Sequence, residues 1–332
     1  MFPDVMQGLK SYFGRDFLLG VFFPVLIFVS ANLTLYIEIT QGLAPSFAAW
    51  EKLSLGSQLL LVLGGLILVM VLSYLIYNFQ YSITRLFEGY WPRMRLLDTL
   101  RNTRIELYKQ RWKYLDTQKQ SASASMRGNE IEAEQLTYYP PPSHLDKMMP
   151  TRIGNILRAS ELYAYDHYGI DSVIIWTRLR PLLPDEVVAP LADSKTASNF
   201  MLLMSVFSVT FTLIWCPVLA LFTSRWELFL LCALGWPLAW ICHHSAVQSE
   251  LAYSEQLKAV FDLHRYDLLK ALNRPIPLDD KAERKEWERL AQFFYRNIPI
   301  PPAPLESDKL QGLGQVVTAL LEFLKKINPP TS

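Results

Sequence analysis

The sequence predicts an all-α, polytopic membrane protein with four transmembrane helices and a helical cytoplasmic domain. Two apolar hairpins, residues 17–79 and 200–247, each contain two segments of about 20 residues, the length at which a helix crosses a hydrocarbon core of roughly 30 Å. The charged residues, 19% of the chain, are concentrated outside these hairpins. The polar blocks, residues 80–199 and 248–332, carry apolar residues at helical spacing, which indicates helices there too.

Charge and cysteine usage exclude several classes of protein. The formal net charge of +1 gives no global reason to expect a nucleic-acid partner. All three cysteines, Cys216, Cys232 and Cys242, lie inside the second hairpin rather than in a loop. Neither a disulfide scaffold nor a Cys-x-x-Cys zinc site is therefore indicated, and we expect no metal or other cofactor.

The first span is predicted over residues 17–37, after an amphipathic lead at residues 1–16. Its apolar core is too long for a secretion signal and no small-x-small cleavage site follows it closely, so we expect a retained helix. Pro24 is a candidate kink. Asn32 and Thr34 are its polar residues, and in lipid such groups face protein or water, which makes them candidates for pore lining or for bonds between helices.

The second span is predicted over residues 56–79. Trp50, in the loop before it, suits an anchor at the membrane interface. Gly64 and Gly65 lie near its middle, where paired glycines permit close helix approach or a bend. We favour packing, although a Gly-x-x-x-Gly spacing is absent.

The orientation follows from basic residues that come directly after the second span. The connections within the two hairpins hold only Lys52 and Arg225. The positive-inside rule thus places both termini and the long middle segment in the cytoplasm. The same cluster would attract anionic lipid, or else it only sets the topology. The candidate headgroup contacts are Arg85, Arg93, Arg95, Arg101 and Arg104.

The first cytoplasmic block, residues 80–199, opens with a predicted continuation of the second span as a helix to about Asp116. Pro92 permits a kink in it, and Trp91 suits the headgroup level. A small, polar link is expected over residues 117–133.

Two later segments of this block are less uniform. Thr151 is a candidate cap for an amphipathic helix that follows it. The apolar run at residues 173–176 is too short for periodicity to separate helix from strand, and its helical neighbours favour a helix on the membrane surface.

The second hairpin holds the third and fourth spans, residues 200–222 and 227–247. The pattern predicts that the fourth helix continues to Leu272, beyond the membrane. Asp279 is expected near the cap of a second helix that extends through Phe294. A third tail helix is predicted over residues 308–327.

Four strings resemble an uncharacterised group of bacterial membrane proteins with this layout. They are Arg-Leu-Phe-Glu-Gly-Tyr-Trp-Pro at 85–92, Pro-Thr-Arg-Ile-Gly-Asn at 150–155, Tyr-Gly-Ile-Asp at 168–171 and Phe-Asp-Leu-His-Arg at 261–265. The resemblance implies a bacterial inner membrane and carries no activity. Its cytoplasmic motif residues are Trp91, Arg152, Asn155 and Asp171.

The order of elements is also similar to that of bestrophin-type channels, with two spans, a helical block, two spans and a helical tail. The bestrophin pore-neck motif does not occur in this sequence, so the similarity concerns layout alone.

Catalytic signatures are weak. Adjacent residues on a helix point about 100° apart, so His243 and His244 cannot serve one metal as an i, i+4 pair would. His167 has Glu161 and Asp166 nearby in sequence, a cluster that suits acid/base chemistry but is usually a solvated surface. Phosphate loops and the familiar hydrolase motifs are missing, so no enzyme activity is expected.

Two functions from different classes follow. The first, which we favour, is a homo-oligomeric channel or pore gated by its cytoplasmic helices, because weakly polar stripes run along the first and third spans. The second is a membrane-anchored scaffold or sensor that recruits a soluble cytoplasmic partner, because that domain is rich in aromatic and arginine residues. Candidates for pore lining, or for ordinary helix packing, in the third span are Ser205, Ser208, Thr210 and Thr212.

Overall fold

The computed structural model describes residues 14–122, 125–222, 225–299, 317, 318 and 320. Within these residues the chain is helical and contains no strand. Among the described residues, four helices, here called the spans, are long and apolar enough to cross a membrane, which confirms the predicted number. They are Arg15–Thr40, Leu55–Glu88, Asp185–Leu221 and Trp226–Ala271. Most of the amphipathic lead and of the predicted helix at 308–327 lies outside the described residues.

The described residues divide into two compact units. The first holds residues 14–166 and 183–262, and the second holds residues 167–182 and 263–299. Each unit therefore contains parts of more than one segment of the sequence.

The first span, α1 (Arg15–Thr40), contains one π-helical turn at Leu18–Phe22. Pro24 lies just after it and explains it, because its ring displaces the carbonyl group four residues earlier, that of Gly20, and offers no N–H in return. The predicted kink thus takes the form of a π turn. Val21 in this turn and Val25 after it pack in a core with residues of the second and third spans.

The connection after α1 is not a plain loop, because it includes a short helix, α2 (Leu43–Glu51). The second span, α3 (Leu55–Glu88), begins after Ser54, whose hydroxyl oxygen accepts a hydrogen bond from Ser57 N at 3.2 Å.

The expected helix to Asp116 is wrong in one respect. The chain leaves helical geometry after Glu88, and a new helix, α4 (Arg95–Ser121), begins seven residues later. The break comes at Gly89, in the left-handed region with φ +100°, rather than at Pro92.

The expected link at residues 117–133 is wrong as well. Residues up to Ser121 belong to α4, and α5 (Met126–Tyr138) starts five residues further on. Leu115, Tyr139 and Met148 form a small core where these two helices meet. A 3₁₀ turn, Pro142–Lys147, follows α5.

Helix α6 (Arg152–Tyr168) connects this region to the spans. Its residues Ile153 and Ile156 are 1% and 0% exposed, and they pack in one core with Leu202, Ala246 and Val247 of the third and fourth spans. The predicted cap is confirmed, because Gly154 N donates to Thr151 Oγ1 at 3.0 Å.

The third span is α8 (Asp185–Phe222), after a short helix α7 (Ser172–Leu179) and a 3₁₀ turn. The predicted single helix over 227–247 is interrupted at Leu234, which lies between α9 (Trp226–Ala233) and α10 (Gly235–Ala271). Pro237 accounts for the interruption, since it has no N–H and its ring crowds the carbonyl of Ala233.

Each end of the spans is marked by a polar contact between two of them. At one end, called the hairpin end, Arg225 Nη1 lies 2.7 Å from Glu38 Oε1. At the other, called the polar end, Thr196 Oγ1 donates to Asp16 Oδ1 at 2.8 Å. Gln80 of α3 and Glu250 of α10 lie toward this polar end.

The second unit is built from α7, residues 263–271 of α10, and α11 (Asp280–Arg296). The run at 173–176 is therefore helical. Asp279 caps α11 as expected, accepting from Ala282 N at 2.8 Å. Trp287 is 0% exposed. Arg265 pairs with Glu283, and Arg274 with Glu286, so the carboxylates of this small unit are neutralised where they are buried.

Candidate functional site: a junction at the polar end of the spans

The end of the second span is closed by a Schellman motif around Gly89. Gly89 N donates to Leu86 O and Tyr90 N donates to Arg85 O at 2.9 Å, which satisfies carbonyl groups left over at the helix end. A Cβ atom at Gly89 would lie 2.6 Å from Pro150 Cγ. Both the positive φ angle and this contact require glycine here.

Gly154, in the first turn of α6, forms the other half of the contact. A Cβ atom at this position would lie 2.0 Å from the carbonyl oxygen of Glu88 and 2.9 Å from Met149 Cβ. The backbone of α6 thus touches the backbone at the end of α3. We call this contact, formed by Glu88, Gly89, Pro150 and Gly154, the junction. It brings together two of the strings singled out in the sequence, those at 85–92 and 150–155.

Asn155 holds the segment before α6 in place. Its side chain is fully buried, its Oδ1 accepts from Met149 N at 2.7 Å, and its Nδ2 donates to Met149 O at 2.9 Å. One amide therefore satisfies both polar groups of a single residue in a buried turn, as the hydrogen-bonding of buried groups demands. The predicted motif residue acts as a backbone clamp.

Aromatic and arginine side chains surround the junction. Arg85 lies over the Tyr90 ring at 3.3 Å from its centroid, and Tyr90 Oη accepts from Arg158 Nη2 at 2.8 Å. Arg158 also pairs with Glu161 at 2.9 Å. A small cavity of about 20 Å³ lies between Glu88, Tyr90 and Arg158, and the buried Nε of Arg158 has no partner among the described residues. This space suits one water molecule.

A buried ion pair lies beside the junction. Glu250 is 0% exposed, and its Oε1 accepts from Lys195 Nζ at 2.8 Å and from Ser198 Oγ at 2.7 Å. Its Oε2 has no partner within the part of the chain that the structure describes. Glu88 is within electrostatic range of both charges of this pair. The pair thus ties the third span to the fourth in a setting where losing one partner is costly.

The predicted arginines fall into two groups. Arg85 stacks on Tyr90, Arg101 donates to Trp91 O at 2.6 Å, and Arg104 approaches Pro150 O at 3.5 Å. Arg93 and Arg95 are instead exposed, and among the described residues neither side chain has a hydrogen bond or an ion pair.

The other motif residues have local roles. Trp91 Nε1 donates to Leu86 O at 2.9 Å, so this side chain helps to end α3. Arg152 lies over the Tyr138 ring at 4.3 Å. In the second unit, Asp171 caps α7 by accepting from Ile174 N at 3.2 Å.

Three polar residues of the spans bond to neighbouring spans. Trp215 Nε1 donates to Asn32 Oδ1 at 2.8 Å, Ser205 Oγ donates to Ala239 O at 3.0 Å, and Thr212 Oγ1 donates to Cys232 O at 2.9 Å. These contacts agree with the helix-packing alternative.

The remaining span candidates have other surroundings. Thr34 and Ser208 line a cavity between spans, and Thr210 is half-buried. Nothing lies within 4 Å of a Cβ built at Gly64 or Gly65, so these two glycines contact no other helix of the described chain. The packing expected of them is not found within the described residues.

The histidines and their neighbours do not converge on one group. His243 stacks on Phe87, and His244 on Trp240. Asp166, which was grouped with His167 in the sequence, contacts His144 and Ser143. Ser143 Oγ and Asp166 both approach the same nitrogen, His144 Nδ1, at 2.8 and 3.3 Å. A Ser-His-Asp relay uses the two different ring nitrogens, so this cluster lacks its geometry.

Sequence reasoning missed the Lys195–Glu250 pair and the contact of Gly154. The paired residues are 55 positions apart, and each on its own is an ordinary charge near the end of a span. Comparison with protein-family models, with curated proteins and with solved structures finds no match to this chain.

Proposed function

We propose that this chain is a membrane-anchored sensor or scaffold, in which four spans hold a helical cytoplasmic domain at the membrane surface and that domain binds a soluble partner protein. The observation that carries the proposal is the junction. Because Gly154 leaves no room between α6 and the Glu88 carbonyl, a displacement of the second span moves α6 with it. The buried cores and charges of the polar end reinforce the same connection.

The hydrogen bonds inside the membrane region favour this function over a pore. Asn32, Ser205 and Thr212 use their polar atoms within the chain, so they offer fewer groups to a hydrated path. The outward faces of the second span carry large apolar side chains, which suit lipid. Examples are Leu60 at 74%, Leu63 at 56% and Ile67 at 64% exposure.

The proposed location is the inner membrane of a bacterium, with both termini in the cytoplasm. The basic residues that follow the second span support this orientation. Arg93 and Arg95 are exposed, and so are Met94 and Leu96 between and after them. Alternating arginine and apolar side chains near the end of a span suit anionic headgroups and the apolar layer beneath them.

A homo-oligomeric channel gated by the cytoplasmic helices is the second candidate. One observation favours it, namely that Thr34 and Ser208, two of the polar candidates, line a cavity between spans. In an oligomer such a cavity could contribute to a path shared between subunits.

Site-specific photo-crosslinking in cells, combined with flux measurements, separates the two. A benzophenone amino acid is placed at Leu107, which is 53% exposed on α4, and a matched one at Leu61, which is 57% exposed on the second span. For the sensor or scaffold we expect a discrete soluble-protein adduct at Leu107, no such adduct at Leu61, and no ion flux from vesicles containing the purified protein.

Protein-dependent ion flux, together with the absence of any adduct at Leu107, contradicts the sensor and supports the channel. Adducts of equal yield at Leu107 and Leu61 also count against it, because the second position faces the bilayer in this proposal.

A further inference from the structure

A cavity of about 690 Å³ lies between the first, third and fourth spans, in their half nearest the hairpin end. Its volume is in the range of about 300–1,000 Å³ that is typical of ligand pockets. The wall is apolar except for Thr34, Ser208 and Glu38. A ligand that fills it must therefore be apolar over most of its length.

The shape of the cavity suits a chain that runs along the spans. The lining residues of α1 extend from Ile27 to Glu38, a distance of about 16 Å at 1.5 Å per residue. Leu231 and Leu234, which line it from the fourth span, are each 60% exposed on the outside of the helix bundle. The cavity is thus reachable sideways from the region where acyl chains lie.

Its hairpin end carries one acidic and one basic group. Glu38 Oε1 lies 2.7 Å from Arg225 Nη1, and Glu38 Oε2 accepts from Leu43 N at 2.9 Å. The pair is neutral as a whole, so it offers no excess positive charge to a headgroup that carries a net negative charge. A zwitterionic headgroup meets both charges, with its phosphate at Arg225 and its ammonium at Glu38. Only an ammonium with N–H groups can also donate a hydrogen bond to the carboxylate.

We propose that this cavity binds one acyl chain of a phospholipid whose zwitterionic headgroup bears a primary ammonium, with the headgroup at the Glu38–Arg225 pair. The proposal does not rest on the sensor or scaffold function, because the site depends only on the three spans and this ion pair. Its occupant comes from the leaflet at the hairpin end.

Lipid competition read by native mass spectrometry tests the site. The full-length protein is mixed with equal amounts of phosphatidylethanolamine, phosphatidylcholine and phosphatidylglycerol that share the same acyl chains. We expect one retained phosphatidylethanolamine, preferred about threefold over each other lipid, as a partly exposed charge contact allows. Glu38→Gln, which keeps an acceptor for Leu43 N but loses the charge, is expected to remove the preference.

A matched pair of variants tests the position. Ala31→Phe adds a phenyl group at the cavity wall, whereas Ala220→Phe makes the same change at an exposed position of the third span. We expect the retained lipid to be lost in the first and kept in the second. Equal retention in both, or no headgroup preference in the unmodified protein, overturns the proposal. If Ala31→Phe does not fold, the comparison between the unmodified protein and Glu38→Gln decides.

Discussion

The junction makes a sharp prediction for a single methyl group. In Gly154→Ala the new Cβ would lie 2.0 Å from the Glu88 carbonyl oxygen, and ordinary van der Waals contact begins at 3.4 Å. The two backbones must separate by about 1.4 Å, or the helix must shift by a comparable amount. The two atoms in the way are the Glu88 carbonyl oxygen and Met149 Cβ, which would lie 2.9 Å from the new atom. Neither of them is the flexible end of a side chain.

The magnitude follows from two opposing effects. Forcing extra volume into a packed site costs about 1–3 kcal/mol, and a rigid backbone oxygen places this case near the upper end. Alanine is a better helix former than glycine by about 1 kcal/mol, which offsets part of that cost. We therefore expect a net destabilisation of about 2 kcal/mol, or a fall of roughly 4 °C in the midpoint of thermal unfolding.

Gly65→Ala is the matched control, because it makes the same change inside a helix where nothing lies within 4 Å of the new atom. Its midpoint is expected to be equal to that of the unmodified protein or slightly higher. The assay follows the helical circular-dichroism signal of both purified variants in one detergent on heating. Equal midpoints for Gly154→Ala and Gly65→Ala would refute the close contact at Glu88.

Three further predictions concern stability. Asn155→Ala leaves the N–H and C=O of Met149 without their partner, which costs about 1–3 kcal/mol for each buried group. A lower unfolding midpoint is therefore expected in the same heating assay, and an unchanged midpoint would contradict the clamp. Lys195→Met leaves the buried Glu250 carboxylate without its charge partner, and the 31% exposure of Lys195 reduces the usual cost of a broken buried pair to about 2 kcal/mol. Adding Glu250→Leu should recover most of this loss of stability in a double-mutant cycle, whereas additive losses would argue against coupling. Burial raises the pKa of the Tyr139 hydroxyl above its usual value of 10.0, and the Glu134 carboxylate raises it further, so the folded protein holds this proton more tightly than the unfolded chain. The resulting stability is complete below pH 10.0 and is lost as the pH rises above it. In alkaline unfolding titrations Tyr139→Phe should therefore lose less stability than the unmodified protein, and identical pH profiles would contradict this.

Local patterns predicted the spans well, because length and hydropathy are properties of each segment alone. The same is true of the caps at Thr151 and Asp279, where the capping oxygen and the N–H it accepts are three residues apart. The helix at residues 126–138 was obscured by the serine and alanine residues before it, which suit a link as well as a helix end. The break at Gly89 was assigned to Pro92 because a proline is the stronger local signal, although the left-handed angle at the glycine ends the helix first.

The candidate site was harder to predict because its contacts are distant in sequence. Gly154 and Glu88 are 66 positions apart, and a glycine early in a helix has no local feature that reveals a carbonyl against it. The strings that contain them were singled out separately, and only the fold shows that they touch. The hydroxyls of the third span have a similar ambiguity, since Ser205 and Thr212 suit a pore wall or a neighbouring backbone equally well until the partner helix is located.

The length of the second span gives it a mechanical property. With 34 residues, α3 is about 51 Å long, well beyond a hydrocarbon core of roughly 30 Å. A rod of this length that pivots at its Leu55 end by about 5° carries its Glu88 end sideways by about 4 Å. Helices tilt when bilayer thickness changes, so under the proposed function a thinner or thicker membrane would displace the Glu88 end of this helix. Gly154 lies against that end with no space between the two backbones, so α6 is the first element that such a displacement would move.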